Sequence, residues 1–185
     1  MVTFRARPPH PWWPALAVLV AVALSAPAPR AQGVEEYAVK AAFLFNFVRF
    51  TEWPSAAFPN DRAPLVLCIV GTDPFGAALA GLEKKPVKGR ELHVDRKVTP
   101  DTLSKCHVAF ISRSRSGNVR EVLKTAEALT VLTVSDIDEF ARKGGIIGLV
   151  TDGGKIRFQI NVKAAERVGL KLSSQLLKLA SIVEG

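Results

Sequence analysis

The sequence predicts a single α/β domain in which a mostly parallel sheet carries helices on its faces, with a β-hairpin and a helix at the C-terminal end. Three observations predict this class. Short apolar runs alternate with helical stretches between residues 65 and 143. Residues 155–160 alternate strictly between apolar and polar side chains, as in a hairpin strand. Residues 34–51 contain neither proline nor glycine and are rich in alanine and phenylalanine, as in a buried helix.

Residues 1–31 have the organisation of a secretory signal peptide rather than of a folded element. Two arginines precede an apolar stretch at residues 15–24, and residues 26–28 (APA) offer the small side chains of a cleavage site. That stretch is too short to span a bilayer, which takes about 20 apolar residues. We expect cleavage between about residues 26 and 32, export, and one mature domain over residues 32–185. An uncleaved anchor is the alternative.

The charge of the chain argues against a nucleic-acid partner. The sequence has 25 basic and 17 acidic residues. Loss of Arg5, Arg7 and Arg30 with the signal peptide leaves 22 basic residues against 17 acidic ones, a net charge of +5. The basic residues form no block and are not interleaved with aromatic side chains, as they are in platforms for single-stranded nucleic acid. We expect this charge to serve solubility.

The first helix is predicted over residues 34–51 and is ended by Pro54. Between residues 65 and 134, the runs LVLCIV and HVAFIS are continuously apolar, as in strands that are covered on both faces. ELHVDRKV alternates, as in a more exposed strand. Strands that alternate with helices in this way are typical of a Rossmann-like parallel sheet. The predicted strands are residues 65–70, 91–98, 107–112 and 129–134, with a helix at 118–128.

The chain departs from this order after residue 145. Residues 146–151 and 155–160 flank the tripeptide DGG, which is a strong hairpin signal. A helix is expected at residues 162–168. A last helix is predicted from the helical spacing of Leu172, Leu176, Leu179 and Val183.

The residue types that commonly carry catalysis or metal binding form no site in this sequence. The expected mature chain has two histidines, His93 and His107, without a partner at metal-ligand spacing. The loop GTDPFG lacks the glycine spacing of a nucleotide-binding loop. The acidic residues within 136–139 are interpreted as the first turn of a helix over residues 136–143, where carboxylates complement the helix dipole. We expect no enzymatic activity, no cofactor and no metal.

The two cysteines of the sequence are Cys68 and Cys106. An even number of cysteines in an exported chain favours a disulfide. In the simple chain model, closing a loop of this size removes about 4 kcal/mol of unfolded-state entropy. Two buried free thiols in neighbouring strands are the alternative.

Three segments, taken in order, resemble the YfiR family of periplasmic regulators. They are KAAFLFNFVRFTEWP at residues 40–54, VLCIVGTDPFG at residues 66–76, and GGIIGLVTDGGKIRFQINVKAAERVGLKLSSQLLKLA at residues 144–180. The resemblance implies a periplasmic α/β protein without enzymatic activity. It also implies that the protein represses an inner-membrane diguanylate cyclase, and with it cyclic di-GMP signalling and biofilm formation, by contacting the periplasmic sensor region of that enzyme.

The resemblance also carries implications for partners and redox chemistry. The partner is expected to be the periplasmic domain of a diguanylate cyclase or of a sensor kinase, and an outer-membrane lipoprotein is expected to remove the regulator from it. Cys68 and Cys106 lie where one of the family disulfides falls. This sequence lacks the cysteines of a second bridge, so redox sensing through that bridge is not expected here.

Five side chains at or just beyond the first helix are assigned to partner binding. Aromatic residues dominate both interfaces and cores, so the alternative is that most of them are core residues. A homodimer contact is another use of the same surface. The five residues are Phe43, Phe47, Arg49, Phe50 and Trp53.

A function of a different class is also compatible with the sequence. In this alternative, the protein is a periplasmic domain that binds a small ligand and feeds a sensor or a transporter. Its pocket is then expected at the carboxyl ends of the strands, near Thr72-Asp73 and Ser112-Arg113.

Overall fold

A computed structural model describes residues 2–3 and 29–185 of the chain. The predicted signal peptide lies almost wholly outside the described residues, so cleavage and export stay predictions. Within the described part of the chain, no helix combines the length and the apolar character that crossing a bilayer requires.

The first helix, α1 (Pro29–Phe50), is confirmed and begins earlier than the sequence predicts. Leu44, Phe47 and Val48 are fully buried, while Arg49 and the residues facing away from the sheet are exposed. The helix therefore packs one long side against the domain. It runs directly into a two-residue strand, β1 (Thr51–Glu52), where the Thr51 hydroxyl donates to the carbonyl oxygen of Phe47 (2.7 Å) and closes the last turn.

The remaining chain forms an eight-stranded, mostly parallel sheet, which confirms the predicted α/β class. The strands that the sequence identifies as continuously apolar lie at its centre, where helices and loops cover both faces. The sheet order is β10-β8-β7-β6-β5-β2-β4-β3. Its strands are β2 (Leu65–Val70), β3 (Pro86–Val87), β4 (Arg90–Val98), β5 (Val108–Ile111), β6 (Leu132–Ser135), β7 (Ile147–Asp152), β8 (Lys155–Ile160) and β10 (Ser181–Ile182).

Strand direction follows the predicted topology. Strands β4, β2, β5, β6 and β7 are parallel neighbours, and the β7–β8 hairpin is antiparallel as the DGG turn predicts. The connections after the strands are largely 3₁₀ helices, at Gly76–Leu82, Pro100–Lys105 and Arg113–Asn118. The last of these leads into α2 (Val119–Ala126), which buries the side chains that the helical spacing identifies.

The predicted helix over residues 136–143 is wrong. Residues 138–144 instead form successive turns, in which Glu139 has a left-handed backbone (φ +57°). A non-glycine residue in that conformation interrupts a helical hydrogen-bond ladder. Gly145, just after these turns, serves close packing: a Cβ there would lie 2.2 Å from the buried ring of Phe140.

The predicted last helix is also too long. A helix α3 (Val162–Arg167) is followed by a short strand β9 (Lys171–Leu172), which pairs with β1, and by α4 (Ser174–Leu179). The chain then becomes extended as β10 and lies parallel to β8. The amide of Val183 donates to the carbonyl oxygen of Ile160 (2.9 Å), so pairing with the sheet replaces further helical turns.

The sheet separates two hydrophobic clusters. One cluster contains the buried side of α1 together with α3 and α4, and the other contains α2 and the two cysteines. Cys68 and Cys106 form a disulfide with their Cα atoms 5.8 Å apart, in accordance with the prediction and against the alternative of two free thiols.

Candidate functional site: an aromatic groove beside the first helix

The five side chains assigned to partner binding are not all on one surface. Phe43 and Phe50 are half-buried, and Arg49 is exposed beside them on α1. Phe47 has no exposed surface, and its ring packs 5.1 Å from the ring of Phe158. Phe47 is therefore a core residue in this fold and is not accessible to a partner.

Trp53 lies beyond the helix and faces another part of the molecule. Its indole N–H donates to the carbonyl oxygen of His107 (3.2 Å), which ties the end of β1 to the start of β5. Trp53 lines a cavity together with Phe58 and Arg90 and does not line the one formed by the phenylalanines of α1. The structure therefore leaves Phe43, Arg49 and Phe50 together and separates Trp53 from them.

A cavity of about 250 Å³ opens between α1, β8 and α4, and we call it the aromatic groove. Phe47 and Phe158 form its floor, and Phe43 packs against both rings at centroid distances of 5.9 and 5.7 Å. Asn46 and Gln175 add polar groups to its wall. The complete lining is Phe43, Asn46, Phe47, Phe50, Phe158, Gln175, Leu176 and Leu179.

Leu179 is an exposed apolar residue of the aromatic groove. It is 76% exposed, although it belongs to a wall that is otherwise largely apolar. Ile182, three residues further along, is 54% exposed. Cations stand nearby on the same elements: the Arg49 guanidinium lies 5.7 Å from the Phe50 ring, and Lys178 is exposed on α4. This surface can accept an apolar side chain and place acidic groups beside a basic edge.

Sequence reasoning missed Phe158 and Leu179 as members of this site. Both appeared in predicted elements, a hairpin strand and a C-terminal helix, but nothing local indicates that those elements meet the first helix. Leu179 is the last residue of α4 and is exposed there.

A buried charged cluster at the other end of the α1 core face was also missed. Lys40 is 2% exposed, and its ammonium lies 2.5 Å from Oδ2 of Asp136 and 2.6 Å from Oε1 of Glu36. The Tyr37 hydroxyl donates to the same Oδ2 (2.8 Å). Burial, together with this hydrogen bond to a carboxylate, raises the pKa of Tyr37 well above its ordinary range. The cluster attaches α1 to the carboxyl end of β6.

The sequence pattern places Asp136 at the start of a helix, but in the structure Asp136 belongs to the buried charged cluster and starts no helix. Its side chain is 1% exposed. Its Oδ2 accepts hydrogen bonds from Tyr37 and Lys40 and lies 3.5 Å from Nε of Arg113. Arg113 also donates to the Asp136 carbonyl oxygen (3.1 Å). A sequence signal did exist, because Lys40 falls in the apolar stretch of the first helix, where a lysine is rarely buried without an acidic partner.

His107 makes hydrogen bonds to two backbone groups, and burial favours its neutral form. Its Nδ1 accepts from the amide of Val66 (3.1 Å), so the ring proton is on Nε2, which donates to the carbonyl oxygen of Ala57 (3.1 Å). The ring stacks on Phe58 at 4.4 Å. Burial lowers the pKa of His107, the charge of Arg90 acts in the same direction, and the hydrogen bond to Ala57 opposes them.

We expect the free energy of unfolding to fall as the pH drops below about 6.5. Because the folded chain binds a proton at His107 less readily than the unfolded chain does, the neutral form of His107 stabilises the fold. This stabilisation is complete at a pH above the pKa that His107 has in the unfolded chain. It is lost as the pH falls towards the lower folded pKa. Urea unfolding of the wild type and of His107→Gln between about pH 7.5 and about pH 5 measures the effect. The variant should lose less stability with acid, whereas His93→Gln, at a half-exposed site, should follow the wild type. Parallel curves for wild type and His107→Gln would contradict the assignment.

Within the described residues, no group of three or more histidine, cysteine, aspartate or glutamate side chains is arranged to hold a metal ion. The features that stand out are therefore an apolar groove and a buried ion pair.

Comparison with models of known protein families gives a match. A family model described as YfiR/HmsC-like matches residues 37–181. The chain belongs to the YfiR/HmsC-like family. The match includes every residue that lines the aromatic groove as well as both disulfide cysteines. It leaves out residues 29–36, which form the first turns of α1 and include Glu36 of the buried cluster.

Proposed function

We propose that this protein is a periplasmic, non-enzymatic regulator that binds the periplasmic sensor region of an inner-membrane diguanylate cyclase and holds that enzyme inactive. Membership of the YfiR/HmsC-like family is the observation that carries the proposal. The aromatic groove supports it, because an apolar cavity with an exposed Leu179 at its edge offers a surface for another protein.

The groove is suited to one kind of occupant. A cavity of about 250 Å³ holds one or two large apolar side chains rather than a whole helix face. Arg49 and Lys178 are exposed on the two helices that form its walls, so acidic residues beside the inserted side chain are complementary. The proposed occupant is an apolar side chain of the sensor region, flanked by carboxylates.

Regulation then follows from differential binding. A regulator that binds the inactive arrangement of the sensor region more tightly than the active one shifts the enzyme towards inactivity. An outer-membrane lipoprotein that takes up the regulator lowers its free concentration and so releases the cyclase. No chemical step on this chain is needed.

Leu179→Asp is the sharpest test of the proposal. We expect it to weaken binding to the sensor region about tenfold to a hundredfold, because it removes the burial of a leucine and puts a carboxylate beside the proposed acidic groups. Periplasmic regions of the diguanylate cyclases encoded in the source genome are purified and titrated by calorimetry. Cyclic di-GMP in cells expressing the variant should rise.

Val34→Asp is the matched control, since Val34 is a 72% exposed aliphatic residue of α1 that does not line the groove. It should bind like the wild type, and both variants should keep the thermal transition. Equal affinities of Leu179→Asp and wild type for a cyclase region that does bind would remove the groove from the interface. A change in sedimentation of Leu179→Asp, with no cyclase region binding the wild type, would assign the groove to a homodimer instead.

A further inference from the structure

A second surface lies at the carboxyl ends of the central strands. Strand β2 lies between β4 and β5, and the chain passes from β2 to β4 on one side before it returns to β5 on the other. The connections that follow β2 and β5 therefore run towards opposite edges of the sheet. Such a reversal of strand order opens a crevice, and ligands of open α/β sheets bind in crevices of this kind.

An open cavity of about 530 Å³ occupies this crevice, and we call it the switch crevice. Its lining contributes three cations and three hydroxyl groups. Among the described residues that line it there is no carboxylate. The lining residues are Gly71, Thr72, Arg96, Lys97, Val98, Thr99, Ser114 and Arg115.

The two loops of the switch crevice are interlocked. Gly71 has a left-handed backbone (φ +99°), and a Cβ at that position would lie 2.5 Å from the Ser114 hydroxyl oxygen and 3.0 Å from Cγ of Arg115. The amide of Thr72 donates to the same Ser114 oxygen (2.9 Å). Glycine is required here because the backbone of one loop approaches the side chains of the other, and that contact holds Thr72 and Ser114 side by side.

Of the three cations that line the switch crevice, Arg96 forms an ion pair with a described carboxylate. Arg96 donates through Nε to Oδ2 of Asp73 (2.9 Å), and Asp73 also accepts from the amide of Phe75 (2.8 Å). Lys97 and Arg115 form no ion pair with any described residue. Arg113, which the sequence analysis places in such a pocket, turns away to Asp136.

We propose that the switch crevice binds the phosphate group of a small anion, either free phosphate or a phosphate monoester. Lys97 and Arg115 supply the charge, and the hydroxyl groups of Thr72 and Thr99 supply neutral donors around it. The Ser114 hydroxyl donates to Oγ of Ser112 (3.3 Å) and serves to position the Thr72 amide. A phosphate dianion has enough acceptor oxygens to use such a mixed set of donors, and its charge matches the two unpaired cations. This inference is independent of the proposed function, since it needs no protein partner.

Phosphate titration followed by amide NMR tests the inference on the whole mature chain. We expect saturable shifts of the amide signals of Gly71, Thr72 and Ser114 when sodium phosphate replaces sodium chloride at constant ionic strength. Arg115→Gln and Lys97→Gln should each weaken the apparent affinity about tenfold, as loss of a hydrogen bond to a charged group does. Arg62→Gln is the matched control, because Arg62 precedes β2 and so lies at the opposite end of the sheet.

Titrations with phosphate, ribose 5-phosphate and acetate give different results for each kind of ligand. Tighter binding of ribose 5-phosphate than of phosphate supports a monoester ligand, and equal binding supports recognition of the phosphate group alone. Shifts that do not saturate, or that appear equally with acetate, overturn the proposal. Equal losses for Arg62→Gln and Arg115→Gln also overturn it, because they show a general effect of net charge.

Discussion

Asp136→Ala is expected to lower the free energy of unfolding by about 3 kcal/mol, the lower part of the range for breaking a buried ion pair. The replacement leaves the buried ammonium of Lys40 with Glu36 as its remaining carboxylate and leaves the Tyr37 hydroxyl without its acceptor. Urea unfolding at neutral pH measures the change. The slope of the transition should stay that of the wild type, because the same surface is exposed on unfolding.

Two further variants show whether burial is the cause. Asp152→Ala removes a carboxylate whose partner, Arg157, is also exposed, and should cost less than about 1 kcal/mol. Lys40→Met combined with Asp136→Leu replaces the pair by apolar groups and should recover most of the loss, since such replacements are often neutral or stabilising. A cost for Asp136→Ala as small as that for Asp152→Ala would show that the cluster contributes little to α1 docking.

Removal of the disulfide should have a comparable effect. The double variant Cys68→Ala/Cys106→Ala is expected to lose about 4 kcal/mol, because the bridge closes a loop of 38 positions in the unfolded chain. Guanidinium unfolding of the oxidised wild type and of the variant measures the difference. Native protein is alkylated with and without reductant and analysed by mass spectrometry. Without reductant, neither cysteine of the oxidised wild type should be alkylated.

Reductant provides the internal control for this experiment. It should lower the stability of the wild type towards that of the double variant and leave the variant unchanged. A variant as stable as the oxidised protein would show that the loop is already constrained in the unfolded chain or that the bridge strains the fold. Two freely alkylated thiols in native protein would contradict the disulfide itself.

The parts of the fold that could be predicted from the sequence are those set by local pattern. A run such as LVLCIV at β2 is apolar on both faces, and burial of both faces places it inside a parallel sheet. The hairpin depends on a short turn that its own residues specify. Neither inference needs knowledge of distant contacts, and both are confirmed.

The errors arose where distant contacts outweigh local preference. Residues 136–143 have a good pattern for starting a helix, but Asp136 is committed to Lys40 and Tyr37, and Glu139 takes a left-handed backbone. The C-terminal leucines have helical spacing, but the edge of the sheet offers backbone hydrogen bonds that end α4. Local pattern contains no information on these competing partners.

The candidate site was predictable only in part for the same reason. The aromatic residues of α1 indicate a large apolar surface. Helical periodicity alone does not show which of these residues are buried by the domain itself. Phe158 packs on the buried Phe47, whereas Leu179 of α4 lines the groove and is exposed. The division between core and accessible surface is thus set by two elements from the far end of the chain.

The pairing of β1 with β9 has a consequence for the order in which the molecule assembles. Thr51 pairs with Leu172, and the aromatic residues that follow Lys40 pack on β8 and α4, so the first helix finds several of its partners beyond residue 155. Contacts of such sequence separation make folding slow. A chain of which only about the first 170 residues are available for folding lacks them, so the side of its aromatic segment that packs on β8 and α4 stays accessible to chaperones until the later residues arrive.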